Sequence, residues 1–456
     1  MMKISVKDIA EFCSSKTQLS GYIEKISTDS RDIDENTLFV ALIGERFDAH
    51  DFVEDVLNKG AKAVVCSRQM GDDERIIYVP DTGKALLDIA HGYRKKFNIP
   101  VIGLTGSVGK TTSKGMIYSV VKRKFNTLRT AGNLNNEIGV PKTLFGLNEN
   151  HEAAVIEMGM NHFNEISRLS GCAEPTIGVI TNVGTAHIEN LGSREGILKA
   201  KLEILDGMKK GSPLIINGDN DMLKTVKTDD FQVIRFGIDA DDLQMRAVDI
   251  KSDENGSTFK AVFGDEETEV FVPAVGLHNV YNALCAMCVG KTLGYTLSEA
   301  GEGIKDFEPE GMRQKITRAG NSVFIEDCYN ANPDSMTASL EALKTLKSNR
   351  SFAVLGDMLE LGEYSEKAHR TVGEKAAKTG CCMVLTYGEL SKYISDEAQK
   401  YGCSSKNFDD KEELANFLFE TLRDGDAVLF KGSRGMKMEE IFMSLYKKMG
   451  LTPEDA

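Results

Sequence analysis

One ten-residue segment constrains the fold of this chain more than any other, Gly103-Leu-Thr-Gly-Ser-Val-Gly-Lys-Thr-Thr112. A short apolar run precedes it at residues 101–102, and an apolar helical pattern follows it over residues 116–121. A glycine-rich turn between a strand and a helix points backbone N–H groups at one spot, where the helix N-terminus adds partial positive charge. The segment therefore predicts a strand–loop–helix unit that holds phosphate groups.

The side chains of this loop indicate a nucleotide. Lys110 can reach the β- and γ-phosphates, and the Thr111 hydroxyl can ligate Mg²⁺. Leu104 stands where the general pattern G-x-x-x-x-G-K-[ST] has its first glycine, and the alternative is a chance Gly/Ser/Thr turn before a helix. We expect ATP or GTP to bind these residues: Gly106, Ser107, Val108, Gly109, Lys110, Thr111 and Thr112.

The composition narrows the class of protein. With 456 residues, 41% hydrophobic and 27% charged, the chain is expected to form a soluble globular protein of two or three domains. A net charge of −14 argues against a nucleic-acid partner but leaves anionic small substrates open. No apolar run approaches the length of a membrane span, and residues 1–13 lack a signal-peptide hydrophobic region. We expect a cytoplasmic protein with no membrane partner, and a monomer.

The nine cysteines give no metal or disulfide pattern. Cys285 and Cys288 form a CxxC inside a helical pattern, with no second pair at zinc spacing, and Cys381 and Cys382 start an apolar run. Both pairs are predicted to be buried reduced thiols.

The chain divides into three predicted α/β parts. The first, 1–97, has expected strands near 38–42, 63–66 and 76–79 and helices near 51–59 and 84–97. The second, 98–312, carries the phosphate loop, strands near 153–157 and 177–182, an antiparallel excursion over 241–273 and a helix near 279–293. The third, 313–456, is expected to be a smaller doubly wound domain, with strands near 323–325, 353–355, 383–386 and 427–430.

Several polar residues follow predicted strands beside the phosphate loop. Glu157 ends the run Ala-Ala-Val-Ile-Glu and could ligate Mg²⁺, although a cap or a surface ion pair is the alternative. His187 follows the next buried strand, where a functional and a structural role are equally favoured. Asn279 and Asn282 share a helix face that could bind a base or ribose, and capping by Asn279 is the simpler alternative.

Together these residues resemble the Mur ligase family, ATP-dependent amide-forming enzymes of peptidoglycan synthesis. The phosphate loop resembles that family's variant, which accounts for Leu104. Glu157, His187, Lys201, the Gly276-Leu-His-Asn-Val-Tyr-Asn282 segment and Arg313 match the family's central domain in order. The resemblance implies three domains: a small α/β N-terminal domain, a central P-loop parallel-sheet ATPase domain and a doubly wound Rossmann-like C-terminal domain.

Two further segments resemble particular members. Thr28-Asp-Ser-Arg31 and Leu38-Phe-Val-Ala-Leu-Ile-Gly-Glu-Arg-Phe-Asp-Ala-His50 resemble the first domain shared by members that add the third residue and the final dipeptide. Asp327-Cys-Tyr-Asn-Ala-Asn-Pro-Asp-Ser-Met336 and Leu355-Gly-Asp-Met-Leu-Glu-Leu-Gly362 resemble the members that add D-alanyl-D-alanine, and the Asp-Asn-Pro-Arg motif for diaminopimelate is absent. A turn and helix start at Asn330–Asp334, and solvated carboxylates at Asp357 and Glu360, are the structural alternatives.

The resemblance also implies a reaction. The terminal carboxylate of a UDP-N-acetylmuramoyl-tripeptide attacks the γ-phosphate of ATP to give an acyl phosphate, and the amine of D-alanyl-D-alanine then displaces phosphate. A third-residue ligase and a nucleotide-dependent switch remain the alternative functions.

Roles for individual residues follow from the same resemblance. Lys110, His187 and Lys201 would be catalytic, with Lys201 carbamylated. A pair of Mg²⁺ ions would be held by Thr111, Glu157, His187 and Lys201. Arg313 and Asp327 would join the loop and the two asparagines on ATP, and substrate would contact Ser30, Arg31, Asn133, Asn136, Asn330 and Asn332. A solvated helix face is the alternative for Lys201, and a surface ion pair is the alternative for Arg31.

Overall fold

The computed structural model describes residues 1–44, 47–309 and 311–451, which form helices packed on four β-sheets. The predicted α/β fold class is confirmed, with one sheet of mainly parallel strands in each of three successive parts of the chain. Glu45 and Arg46 of the segment quoted above, Glu310, and residues 452–456 at the end of the predicted third part lie outside the described residues.

The first part is built on a four-stranded parallel sheet in the order β3-β4-β5-β6. Its strands are β1 (Ile4–Ser5), β2 (Tyr22–Ile23), β3 (Lys25–Ser27), β4 (Thr37–Val40), β5 (Ala63–Cys66) and β6 (Ile76–Tyr78), and its helices are α1 (Val6–Phe12), α2 (Val53–Asn58) and α3 (Thr82–Arg94). A short 3-10 turn, Ala49–Phe52, precedes α2, and β1 pairs with β2. β4 and β5 are buried at every position, as expected of apolar strands covered on both faces.

Helix α3 joins the first part to the second. The Tyr93 hydroxyl donates to Leu147 O at 2.6 Å, and buried Arg94 donates to Ala173 O at 3.0 Å. Apolar residues on both sides of this contact belong to one continuous core. The two parts therefore share packing through α3.

The second part contains a nine-stranded sheet in the order β15-β14-β13-β12-β11-β10-β7-β9-β8. Its strands are β7 (Val101–Thr105), β8 (Thr127–Arg129), β9 (Ala153–Glu157), β10 (Ile177–Ile180), β11 (Pro213–Asn217), β12 (Gln232–Gly237), β13 (Met245–Asp253), β14 (Gly256–Phe263) and β15 (Glu266–Val272). The strands from β8 to β13 pair in parallel, and β13, β14 and β15 pair antiparallel, which confirms the predicted excursion.

The helices of the second part cover the faces of this sheet. They are α4 (Lys110–Val121), α5 (Gly139–Leu144), α6 (Glu165–Ala173), α7 (Ile188–Leu191), α8 (Arg194–Leu202), α9 (Leu277–Thr292) and α10 (Leu297–Lys305). β7 lies between β10 and β9, so the carboxyl ends of three neighbouring parallel strands meet where α4 begins. Ligands of parallel sheets bind at such an edge.

The third part is a six-stranded sheet in the order β16-β17-β21-β18-β19-β20, parallel except for β16. Its strands are β16 (Lys315–Ala319), β17 (Ser322–Asp327), β18 (Ser351–Gly356), β19 (Met383–Tyr387), β20 (Ser404–Phe408) and β21 (Ala427–Lys431), and its helices are α11 (Pro333–Thr345), α12 (Ser365–Lys378), α13 (Lys392–Lys400), α14 (Lys411–Thr421) and α15 (Glu439–Met449). Separate apolar clusters cover its two faces.

Two further predictions can be compared with these elements. Cys285, Cys288 and Cys381 are buried thiols as expected, but the prediction for Cys382 was wrong, because its side chain is exposed at the edge of β19. Across residues 1–44, 47–309 and 311–451, each helix is too short or too polar to cross a bilayer.

Candidate active site

The phosphate loop connects β7 to α4. Gly109 precedes α4 with a φ of 77°, and a Cβ there would lie 2.9 Å from Asn282 Oδ1. A Cβ on Gly106 would lie 1.9 Å from Thr181 Oγ1, so neither position accepts a side chain without rearrangement. Leu104, at the place of the missing glycine, is fully buried within β7 and packs in the core.

Asn182, two residues after β10, fixes the phosphate loop through its side-chain amide. Its Oδ1 accepts hydrogen bonds from the backbone N–H groups of Ser107 and Val108 at 3.0 and 2.9 Å, and its Nδ2 donates to Val108 O. Lys110 Nζ donates to Gly106 O at 2.9 Å, which folds the lysine over the loop. Burial lowers the pKa of Lys110, an effect opposed by the negative charge of Glu157.

Glu157 closes β9 and is 1% exposed, so the surface ion pair considered for it does not form. Thr111 Oγ1 donates to its Oε2 at 3.1 Å, and Asn135 Nδ2 donates to its Oε1 at 2.8 Å. Lys114 Nζ lies 3.5 Å from Oε2. The side chains of Thr111, Asn135 and Lys114 are all donors to this carboxylate, and they hold both of its oxygens in fixed positions.

The same group of oxygens is suited to Mg²⁺. Within the part of the chain that the structure describes, no three His, Cys, Asp or Glu side chains are arranged to hold a metal ion. Mg²⁺ takes one or two protein oxygens and completes its shell with phosphate and water. The Glu157 carboxylate and the Thr111 hydroxyl beside a phosphate loop therefore fit an ion that arrives with a nucleotide.

Lys201 lies on α8 and is 1% exposed, which excludes the solvated helix face considered for it. Among the described residues it makes no hydrogen bond or ion pair. Burial lowers the pKa of Lys201 well below its usual range, and the positive charge of Lys110 lowers it further. Both effects favour the neutral form of the amine.

His187 lies where the second and third parts meet. It precedes α7 with a φ of 63°, and its Nδ1 is 3.2 Å from Glu360 Oε2. The His187 side chain lowers the pKa of the Glu360 carboxyl. Nearby, Thr185 N donates to Asp334 Oδ2 at 3.2 Å, so the loop between β10 and α7 is joined to the third part by two contacts.

The two asparagines of α9 are buried next to the loop. Gly276 occupies the N-cap of α9, so the capping role considered for Asn279 was wrong. Asn282 Nδ2 donates to Asn279 Oδ1 at 3.1 Å, and Ser113 Oγ donates to Asn282 Oδ1 at 2.9 Å. Asn279 Nδ2 donates to Gln314 Oε1 at 3.2 Å, which extends this chain of hydrogen bonds to the connection with the third part.

The third part faces the phosphate loop with a carboxylate, Asp327, and with the amide side chains of Asn330 and Asn332. Asp327 is buried and accepts from Lys431 Nζ and Ser339 Oγ, both at 2.6 Å. The Arg313 guanidinium lies 3.7 Å from the centroid of the Tyr329 ring, a cation–π contact. Asn332 caps α11 with Pro333 in the first turn, so the helix start considered for this segment is present.

One cavity of about 490 Å³ joins these groups. The predicted site residues that line it are Ser107, Val108, Gly109, Lys110, Thr111, Thr112, Asn133, Asn136, Glu157, His187, Asn279, Asn282, Arg313, Asp327, Asn330 and Asn332. Asn135, Asn182, Gln314 and Tyr329 line it too and were missed by the sequence analysis. Lys431 also lines it; the sequence suggested either a simple turn or an anion-binding cation at this position.

Four predicted residues lie outside the cavity wall. Gly106 and Lys201 are buried and do not line the cavity. Ser30 and Arg31 lie in the first part, where Arg31 is 86% exposed and binds Asp29 through two nitrogens at 2.9 and 2.7 Å. The structure thus gives Arg31 the surface ion pair that was its alternative.

Known proteins share this arrangement across the chain. Residues 22–94 match the catalytic domain of the Mur ligase family, residues 104–290 match the Mur ligase middle domain, and residues 312–434 match the Mur ligase glutamate ligase domain. The chain therefore belongs to the Mur ligase family.

Individual relatives match over nearly their full length. The UDP-N-acetylmuramoyl-tripeptide–D-alanyl-D-alanine ligase of Bacillus subtilis (strain 168) is 38% identical over 456 residues, covering 98% of this chain and 99% of the relative. A crystal structure of MurF from Acinetobacter baumannii superposes with a TM-score of 0.90 at 30% identity, covering 98% and 99%. The MurF ligase of Thermotoga maritima in complex with ADP gives 0.86 at 28% identity, covering 93% and 98%.

Proposed function

We infer that this protein is an ATP-dependent ligase that joins D-alanyl-D-alanine to a UDP-N-acetylmuramoyl-tripeptide and yields the pentapeptide precursor of peptidoglycan. The observation that carries this conclusion is one cavity in which the phosphate loop and the Thr111–Glu157 pair face the Asp327–Asn332 wall. The full-length match to the Bacillus subtilis ligase supports the two substrates, and the ADP complex of the Thermotoga maritima relative supports an adenine nucleotide.

The three domains divide the work in this proposal. Residues 1–97 hold the UDP end of the substrate through Ser30 and Arg31, with help from Asn133 and Asn136 of the neighbouring domain. Residues 98–312 bind ATP, and residues 313–456 close over it with the dipeptide near Asn330 and Asn332. The contacts of His187 and Thr185 with Glu360 and Asp334 support closure of this kind.

The chemistry requires two anions to meet. The substrate carboxylate attacks the γ-phosphorus and ADP leaves, which gives an acyl phosphate; the dipeptide amine then attacks the carbonyl carbon and phosphate leaves. The loop N–H groups and Lys110 stabilise the charge on the transferring phosphoryl group. In this proposal, closure of the third domain excludes water, which protects the acyl phosphate from hydrolysis.

Magnesium and a modified lysine complete the proposed site. Mg²⁺ held by Thr111 and Glu157 would neutralise phosphate charge. We propose that Lys201 reacts as the neutral amine with CO₂, giving up a proton and becoming a carbamate, and that with His187 it holds a second ion. The burial and lowered pKa of Lys201 support this role.

The proposed setting is a monomer in the cytoplasm. All nine cysteines are free thiols, which is typical of a reducing compartment.

Product analysis tests the function against its two alternatives. Incubation with ATP, Mg²⁺, the tripeptide nucleotide and D-alanyl-D-alanine should give, by mass spectrometry, a nucleotide that carries the added dipeptide. A parallel incubation supplies the dipeptide nucleotide with lysine or diaminopimelate, and extension of that nucleotide would instead identify a third-residue ligase. ATP hydrolysis without either product would favour the switch.

A further inference from the structure

Lys114 is a buried cation that the proposed chemistry does not use. It lies one helical turn after Lys110 on α4, so the two lysines share a face of the helix. Lys110 lines the cavity, whereas the Lys114 side chain is 0% exposed and lies behind the cavity wall. A charged side chain is buried to this extent when it is paired, so its partners indicate its role.

Lys114 contacts two different structural units. Its Nζ lies 3.5 Å from Oε2 of Glu157, and it donates a hydrogen bond to Gly132 O at 2.9 Å. Glu157 belongs to the end of β9, in the proposed metal site. Gly132 belongs to the loop of residues 131–137, which carries Asn133 and Asn136 of the proposed substrate site.

A second connection runs between the same two units. Asn135 Nδ2 donates to Oε1 of Glu157, and Asn135 O accepts from Gly159 N, both at 2.8 Å. A Cβ on Gly159 would lie 2.9 Å from Asn135 Oδ1, so the glycine allows this close approach. The loop is therefore attached to both oxygens of one carboxylate, through Lys114 on one side and Asn135 on the other.

We propose that Lys114 is a positioning residue that couples the metal-binding carboxylate of Glu157 to the substrate loop 131–137. A cation bound to Glu157 then fixes the loop that receives the nucleotide-sugar peptide, and the two substrates are aligned through the protein before they meet. This inference rests on the proposed function, because that function assigns the metal to Glu157 and the peptide substrate to the loop.

Binding measurements on Lys114→Met test the proposal, since methionine keeps the unbranched apolar stem and removes the charge. Lys122→Met, at the exposed end of the same helix, is the matched control. ADP binding without metal should stay within about twofold of wild type, because the phosphate loop is untouched. The gain in ADP affinity on adding Mg²⁺ and the affinity for the tripeptide nucleotide should both fall, each by about tenfold, since an unpaired buried carboxylate rearranges.

Three results of these titrations would overturn the proposal. They are a folded Lys114→Met protein with both affinities unchanged, a loss at only one of the two sites, and an equal loss in Lys122→Met. KM should rise for both the tripeptide nucleotide and ATP with Mg²⁺, whereas a general loss of stability would lower kcat and leave both KM values unchanged.

Hydrogen exchange on the wild-type protein covers the case in which Lys114→Met fails to fold. ADP with Mg²⁺ should slow exchange of residues 131–137 relative to ADP with a chelator, and unchanged exchange would overturn the coupling. This arm uses no peptide substrate. A wild-type protein that fails to bind the tripeptide nucleotide would count against the proposed function alone.

Discussion

The proposed nucleotide site and the proposed uridine site differ in how deeply their charged side chains are buried. At the nucleotide end, Glu157, Lys114 and Lys201 are each at most 1% exposed. At the uridine end, Arg31 is 86% exposed and its partner Asp29 is 41% exposed. The buried groups are fixed by neighbours from several strands and helices, whereas the Arg31 pair is formed within three residues of one loop.

The difference indicates where precision is needed. Charges that stabilise a phosphoryl transfer act best when they are oriented before the substrate arrives and are shielded from water. A group that only anchors a distant part of a ligand can be oriented by that ligand on binding. Changes at the buried end should therefore reduce the rate of reaction, and changes at the exposed end should mainly reduce affinity.

The largest effect is expected for Lys110→Ala. Removing the cation that reaches the phosphates should lower ligation by about 10³-fold or more, as loss of transition-state charge stabilisation does elsewhere. The fold should survive, because Lys110 is the first residue of α4 and its side chain lines the cavity rather than the apolar core. Steady-state kinetics measure the loss of ligation and thermal unfolding measures the stability of the fold, with Lys122→Ala as the control. Near-normal ligation by folded Lys110→Ala would remove the nucleotide assignment.

Lys201→Ala should come next, with activity reduced by about 10²-fold through loss of a metal-binding oxygen pair. Short-chain carboxylic acids should restore part of that activity by supplying a carboxylate in the vacated space. Lys199→Ala, exposed on the same helix, should keep wild-type activity. Failure of rescue, together with a wild-type protein whose mass shows no CO₂ adduct under bicarbonate, would contradict the carbamate.

Arg31→Ala examines the exposed end. KM for the tripeptide nucleotide should rise by about tenfold, as expected when a charged hydrogen bond to a ligand is lost, while KM for ATP stays unchanged. Arg75→Ala removes a comparable pair with Asp73 in the same domain and should change neither KM. An unchanged KM in Arg31→Ala would leave the residue as a surface ion pair.

The smallest effects are expected for two asparagines of the loop 131–137, one that caps a helix and one that does not. Asn136 Oδ1 accepts from Gly139 N at 2.8 Å at the start of α5, so Asn136→Ala should cost about 1 kcal/mol of stability as well as affinity. Asn133 is exposed and its replacement by alanine should reduce affinity only. Denaturant unfolding and substrate titration distinguish the two; equal stability losses would contradict the capping role.

Much of the nucleotide end could be predicted from the sequence, because its residues follow buried strands. Glu157 ends an apolar run, and parallel strands bring such ends to one edge of a sheet. Asn135, Asn182 and Lys114 were missed as site residues, since their importance comes from contacts between elements far apart in the chain. No local pattern distinguishes an asparagine that supports a phosphate loop from one in a turn.

The strands, too, could be predicted only where the local sequence pattern is clear. β5 and β9 were predicted with their observed bounds because each is a continuous buried run of apolar residues. β20, with the sequence Ser-Ser-Lys-Asn-Phe, lies at a sheet edge and was missed, because an edge strand needs little apolar character. For Arg31 the resemblance predicts a contact with substrate, whereas the structure shows a surface ion pair with Asp29. A substrate role for Arg31 can be seen only when the ligand is bound.

Acceptor-dependent phosphate release tests the central claim most directly. Wild-type protein with ATP and Mg²⁺ is given the lysine- or diaminopimelate-containing tripeptide nucleotide, with and without D-alanyl-D-alanine, and phosphate is measured continuously. The account predicts sustained release only when a tripeptide nucleotide and the dipeptide are both present, with one phosphate for each dipeptide joined. Equal release without the dipeptide, or none in any combination, would contradict it.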